Sequence, residues 1–271
     1  MASANKPAMQ TETVVLLHCS GSSGAQWRAL AARLEGRYRV IAPDLIGYGA
    51  AAPWPGRAEF CLAQEAAVIR SLIGQLDEPV HLAGHSYGGA VALHIARTRP
   101  ERLRSLTLIE PSAFHLLRGG DEFDHAALRE ISDVAAYAKT MLASGDYRRA
   151  FGRFVDYWSG PGSWSAMPQE KRDAFAPQLA KVALDFHALL NEPADIEHVK
   201  EIALPTLLLQ GAGTTLPSRR VCKRLRDALP AVQFRVVQGA GHMLPLTHRD
   251  EVNALIAAHL EVNALERREA A

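Results

Sequence analysis

Ser86 stands in Gly84-His85-Ser86-Tyr87-Gly88, a serine with glycine two residues to either side. A serine presented on a sharp strand-to-helix bend leaves no room for side chains at those two positions. The bend needs a strand before it and a helix after it. Val80-His81-Leu82-Ala83 is a short apolar run bounded by Pro79 and Gly84, while Ala90, Leu93 and Ala96-Arg97 recur at helical spacing. In a chain of 20 glycines the string alone could be chance, and this context is what argues for a nucleophile. Acyl transfer by serine also needs a base, an acid to orient the base, and donors for an oxyanion. His242, in Gly239-Ala240-Gly241-His242, is the candidate base. Among 11 histidines it alone combines a strand-end loop with a place late in the chain. The N–H groups of a helix's first turn face developing negative charge, so the Tyr87 amide is one expected donor and the Ser20 amide, after the first strand, the second.

The elements that must position these groups alternate. Thr13 to His18 reads as a buried strand, followed by the small-residue loop Cys19 to Gly24 and a helix from about Gln26 to Leu34. Arg39 to Ala42 is the next strand, and Glu59 to Gln75 carries a long helical pattern. After the Ser86 segment come strands at Arg104 to Ile109, Leu204 to Leu209 and Gln233 to Val237, with helices near Ser218 to Leu229 and from about His248. The last helix is expected to fray into Glu266-Arg267-Arg268-Glu269. Such alternation predicts an α/β fold: a doubly wound, mainly parallel sheet with its site at the carboxyl ends of the strands. Between residues 112 and 200 the alternation stops. This stretch reads as a helical insertion into a core formed by residues 1–111 and 201–271, and it holds 11 of the 18 aromatic residues.

Composition bounds the function. At 271 residues, 48% hydrophobic, with 30 Lys and Arg against 29 Asp and Glu, the chain is large enough for one full core and has no basic stripe for nucleic acid. Met1 to Pro7 has no apolar leader pattern, and no run of 18 apolar residues suggests a membrane span. Cys19, Cys61 and Cys222 are far apart and odd in number, which fits reduced thiols in the cytoplasm and no metal site. No cofactor is expected, and the expected partner is a small-molecule substrate.

Taken together, Gly84 to Gly88, Ala42-Pro43-Asp44-Leu45-Ile46-Gly47-Tyr48-Gly49 and Gly239 to His242 resemble the α/β-hydrolase superfamily. The resemblance runs from residue 13 to the C-terminal helix and points to the small capped esterase, lipase and C-C hydrolase branch. It implies that residues 112–200 form a cap. Two departures stand out. Cys19 follows His18 where the family usually has glycine, and Gly211-Ala212-Gly213-Thr214 stands where the family usually carries its acid, so that Thr214 replaces an aspartate. Some members carry the acid after the strand that follows the nucleophile helix. That position is Glu110, which the resemblance therefore implies as the acid, with Asp44 as the rival carboxylate.

The expected activity is hydrolysis of a small, largely apolar carboxylic ester through an acyl-enzyme. C-C bond hydrolysis of a ring-cleavage diketone and a slow or non-catalytic ligand receptor are the alternatives. Cys19, His85, Phe114, Phe151, Phe154, Trp158, Trp164 and Met243 are the candidate pocket residues, though any one insertion aromatic could equally belong to its core.

Overall fold

The computed structural model describes residues 11–56, 59–175 and 178–270. The first ten residues, read above as lacking a leader, lie outside them. Six strands, β1 (Thr13–Leu17), β2 (Arg39–Ile41), β3 (Val80–His85), β4 (Leu103–Ile109), β5 (Thr206–Gly211) and β6 (Val232–Val237), form one sheet in the order β2-β1-β3-β4-β5-β6. Every neighbouring pair is parallel.

Strands buried on both faces read as continuous apolar runs whose side chains alternate between two cores. Along β1, Val15 and Leu17 join one core while Val14 and Leu16 join the other. The second core is closed by α1 (Arg28–Leu34), which turns in Leu30 and Leu34. The first is closed by α2 (Leu62–Gly74) and α3 (Tyr87–Thr98), of which Ala66, Ile69, Ile73, Val91 and Ile95 pack on the sheet.

Between β4 and β5 run α4 (Glu122–Ser144), α5 (Tyr147–Ser159), α6 (Ser163–Ala166), α7 (Gln169–Phe175), α8 (Leu179–Asn191) and α9 (Ile196–Lys200). Asp121 caps α4 by accepting the Asp124 N–H, and Gly145 ends it in the left-handed conformation that glycine adopts without steric cost. Phe151, Val155, Trp158, Val182 and Phe186 of these helices continue the first core, so their apolar faces rest on the sheet domain's own interior. Finally α10 (Leu216–Ala228) covers β5, and α11 (Leu244–Thr247) leads into α12 (Arg249–Ala270), whose Val252, Ile256 and Leu260 complete the second core. The helix continues through Glu266 to Ala270 where the sequence predicts fraying. Among the described residues no helix is long and apolar enough to cross a membrane.

From β1 the chain departs to one side of the sheet, and from β3 to the other. The crevice at this reversal, beyond the strands' carboxyl ends, is where an open α/β sheet forms its site.

Candidate active site

Only two non-glycine residues among those described have positive φ, and both lie in this crevice: Ser86 at 54° and Glu110 at 41°. Such backbone costs on the order of 1–3 kcal/mol and persists where its surroundings over-determine it. Here they do. Ser86 N–H donates to the Ile109 carbonyl, Ser112 N–H to the Ser86 carbonyl and Glu110 N–H to the Leu209 carbonyl, each at 3.0 Å. A Cβ on Gly84 would stand 2.2 Å from the Gly88 oxygen, and one on Gly88 would stand 2.5 Å from the Leu17 and His18 oxygens. The two glycines around Ser86 are therefore fixed by backbone crossing backbone.

The loop after β6 carries His242 back across the strand ends. Its Nε2 lies 2.9 Å from Ser86 Oγ and its Nδ1 2.7 Å from Glu110 Oε2. The Glu110 carboxylate is fully buried and also accepts the Thr214 hydroxyl at 2.5 Å and the Gly211 N–H at 2.7 Å. With Nδ1–H facing the carboxylate, the Nε2 lone pair faces the serine hydroxyl. Strand order explains why Glu110 and Thr214 meet: β5 lies between β4 and β6, so the ends of β4 and β5 are neighbours beneath the histidine loop.

The surroundings hold this chain of groups in place. The Trp158 ring lies 4.2 Å, centroid to centroid, from the His242 imidazole. Ser112 Oγ stands 3.1 Å from Ser86 Oγ, and Ser218 Oγ 3.3 Å from His242 Nδ1. His85 is buried and holds the His242 carbonyl through Nε2 at 2.9 Å and the Gln26 amide through Nδ1 at 3.2 Å. Burial first, and the neighbouring His242 second, push its pKa down to about 3, so it is neutral. His18 receives the Leu45 N–H at 3.0 Å and so ties the loop after β1 to the loop after β2.

Tyr87, as the first residue of α3, has no intrahelical acceptor for its N–H. In the loop after β1 the Cys19 N–H is taken by Gln26 Oε1 at 3.2 Å, and Ser20, the next residue, lines the cavity above Ser86. Asp44, the rival carboxylate, accepts the Ala50 and Gly24 amides at 2.8 Å each. Its slight burial raises its pKa, but those two bonds outweigh that and hold it below the usual carboxylate range. It braces its own loop.

A cavity of about 210 Å³ opens beside Ser86 and His242. Of the pocket candidates named from the sequence, Cys19, Phe114, Phe151, Phe154, Trp158 and Met243 line it. His85 and Trp164 do not. His85 turns beneath the histidine loop, and Trp164 stands one layer back, against Phe151 and Gly152. Phe175, Phe186, Leu189 and Leu246 complete the apolar wall. Burial raises the Cys19 thiol to about 12, so it acts as an apolar wall group. A second, more open cleft, with Arg153, Asp156, Thr215 and Thr247 among its lining residues, meets the cavity at His242 and Trp158.

The family model described as "Alpha/beta hydrolase family" matches residues 14–255. The chain belongs to the α/β hydrolase family. It is an enzyme of the serine-hydrolase type. The hydrolase is 31% identical to a pimeloyl-[acyl-carrier protein] methyl ester esterase of Aeromonas hydrophila, over 91% of its own length and 94% of that protein's. It is 29% identical to lipase LipV of Mycobacterium tuberculosis, covering 91% and 92% of the two chains. Its fold matches the structure of MenH from S. aureus with a TM-score of 0.74 at 19% identity, over 95% and 96% of the chains.

The sequence reading missed several residues of this site. Thr214 registers only as an absent acid, although its hydroxyl can hold one. The other omission is Lys181 and Asp185, spaced i, i+4 inside the apolar run Leu179 to Leu190. That spacing puts the two charges on one helix face, and the apolar residues around them are the only hint that this face is buried.

Proposed function

We propose that this hydrolase cleaves small, largely apolar carboxylic esters through an acyl-enzyme, with Ser86 as nucleophile, His242 as general base and acid, and Glu110 as the orienting carboxylate. The carrying observation is the buried chain Ser86 Oγ to His242 Nε2 at 2.9 Å and His242 Nδ1 to Glu110 Oε2 at 2.7 Å. His242 takes the Ser86 proton as Oγ attacks the ester carbonyl. Glu110 stabilises the resulting imidazolium and keeps Nδ1 as the donor. The Ser20 and Tyr87 amides receive the oxyanion as the carbonyl oxygen gains charge. His242 then protonates the departing alkoxide, and a water activated by the same imidazole releases the acid.

The helices between β4 and β5 act in this reading as a cap over the acyl group. The aromatic cavity suits an apolar chain, and the more open cleft meeting it at His242, where Arg153, Asp156 and Thr215 stand, suits the alcohol or its carrier. The esterase and lipase relatives agree with this chemistry. C-C cleavage of an anionic dienoate is less well served, since no Lys or Arg among the described residues lines the cavity. A slow or non-catalytic receptor would fit a chain with no acid at Thr214, and the Glu110 carboxylate 2.7 Å from His242 Nδ1 speaks against it. Ser86→Ala tests the mechanism: loss of p-nitrophenyl butyrate hydrolysis and of fluorophosphonate labelling is expected, and retained turnover rules it out.

A further inference from the structure

Running from the cavity wall, which Asp185 itself lines, into the interior is a buried ionic cluster that the chemistry above does not use. Glu65 on α2, with Lys181 and Asp185 on α8, are 0%, 6% and 1% exposed. Lys181 Nζ pairs with Glu65 at 3.2 Å and with Asp185, and it lies 4.5 to 4.8 Å from the ring centroids of Tyr87, Phe60 and Tyr48. Burying such ions adds little net stability, because desolvation offsets most of their attraction. Stability alone therefore gives a poor account of the cluster, whereas its outward bonds give a specific one.

Asp185 Oδ2 accepts the Ser20 hydroxyl at 2.6 Å and the Tyr48 hydroxyl at 2.5 Å. Glu65 accepts the Tyr87 hydroxyl at 3.0 Å and the Ile46 N–H at 2.9 Å. Ser20 and Tyr87 are the two residues whose amides are assigned to the oxyanion. Their side chains thus converge, through two carboxylates, on one ammonium carried by α8 of the segment that covers the cavity. Burial, followed by the Asp185 charge, raises the Tyr48 and Tyr87 phenols far above their ordinary range, so both remain donors.

We propose that Asp185 and Lys181 are positioning residues that hold the Ser20 and Tyr87 amides in register for the oxyanion, so that the oxyanion hole is complete only while α8 is seated. The proposal rests on the acyl-transfer reading above. It makes α8 both roof of the pocket and brace of the catalytic donors. An ester that unseats α8 would bind without being turned over.

The test compares Asp185→Asn, Ser20→Ala and the double variant on p-nitrophenyl butyrate. Affinity for an alkyl trifluoromethyl ketone, whose hemiketal oxyanion loads the same donors, is measured alongside. Removing an oxyanion donor outright costs about 100- to 1,000-fold in kcat, so misplacing one should cost about 10- to 100-fold with KM nearly unchanged. The ketone should weaken by a similar factor, a loss that general softening of the fold would not impose selectively. Because Asp185 acts through Ser20, the double variant should lose little more than the worse single variant. Ser20→Ala leaves both ion pairs whole and carries the test if Asp185→Asn does not fold. Wild-type kcat in both single variants, losses that multiply, or a change confined to KM would overturn the proposal. Ser86→Ala in the same preparations separates the two readings: if it still turns over ester, acyl transfer by Ser86 itself is wrong, whereas an inactive Ser86→Ala beside unaffected Ser20 and Asp185 variants sinks the positioning network alone.

Discussion

Glu110→Gln is the most informative single change, because the bonds around Glu110 dictate what an amide can do there. Gly211 N–H is held by Oε1, while Oε2 faces both the Thr214 hydroxyl and His242 Nδ1. A glutamine can keep its carbonyl toward Gly211, which puts its NH2 where Oε2 was. The threonine hydroxyl can rotate to accept from it. His242 can accept only by shifting its proton from Nδ1 to Nε2, which removes the lone pair facing Ser86. Every polar group stays satisfied, so the fold should survive, while the base is switched into the wrong tautomer. The comparable substitution in a serine triad lowers kcat by about 10,000-fold. We expect about 1,000- to 10,000-fold here, equivalent to about 4 to 5.5 kcal/mol of transition-state stabilisation. Steady-state hydrolysis of p-nitrophenyl butyrate, with thermal melts as the folding control, measures it. Thr214→Asp in the same background returns a carboxylate to a strand end whose hydroxyl already lies 2.5 Å from Glu110 Oε2, and partial recovery is expected. Activity of Glu110→Gln within a few-fold of wild type would refute the assignment and send the search for the acid elsewhere.

Ser86→Ala should lower turnover on the order of a million-fold while leaving the melting transition in place; residual hydrolysis above background would point to another nucleophile. Phe154→Ala should extend the acyl chains accepted, since Phe154 lines the cavity. Trp164→Ala, one layer back and only half-buried, should lower stability by up to about 3 kcal/mol, the low end for a buried tryptophan, with chain preference unchanged, which paired ester series and urea melts distinguish. Burial holds His85 at about 3 and His115 and His259 at about 4, so the folded chain keeps them neutral where the unfolded chain takes up protons. Their stabilising effect is complete above about pH 6.5 and is lost as pH falls toward 4, by up to about 1.4 kcal/mol per pH unit for each. Urea midpoints should accordingly drop between pH 7 and 5 and drop less in His115→Leu; equal midpoints at the two pH values would mean that the fold tolerates these imidazoles charged.

What could be read from the sequence divides along the range of the forces involved. The bend at Ser86 is legible because its constraint is local: Gly84 and Gly88 are demanded by oxygens a few residues away or on the adjacent strand. Strands β1, β3, β4 and β5 are legible for the same reason, as largely buried runs, and the loop of His242 through its two glycines. From its local pattern Glu110 is one of several strand-end carboxylates, and only the family resemblance singles it out from the sequence. What distinguishes it is that β5 separates β4 from β6, a fact of sheet order that no local pattern carries. His85 misleads because adjacency to Ser86 in sequence suggests adjacency to substrate, while the end of β3 turns it under the histidine loop, where it holds the His242 carbonyl. The aromatic richness of residues 112–200 likewise says that rings will cluster there, without saying which layer meets the cavity; Phe151 does and Trp164 supports it. Least legible is the pairing of Glu65 with Lys181, 116 residues apart, since only the folded chain brings α8 over α2. The positive φ at Ser86 and at Glu110 joins the two cases. One strain is announced by its flanking glycines, and the other, in a residue with no glycine two positions to either side, is maintained by the Glu110 amide bonded to Leu209 and by the carboxylate bonded to Gly211, Thr214 and His242. A strained carboxylate held by that many partners is costly to keep unless the histidine it faces needs its charge.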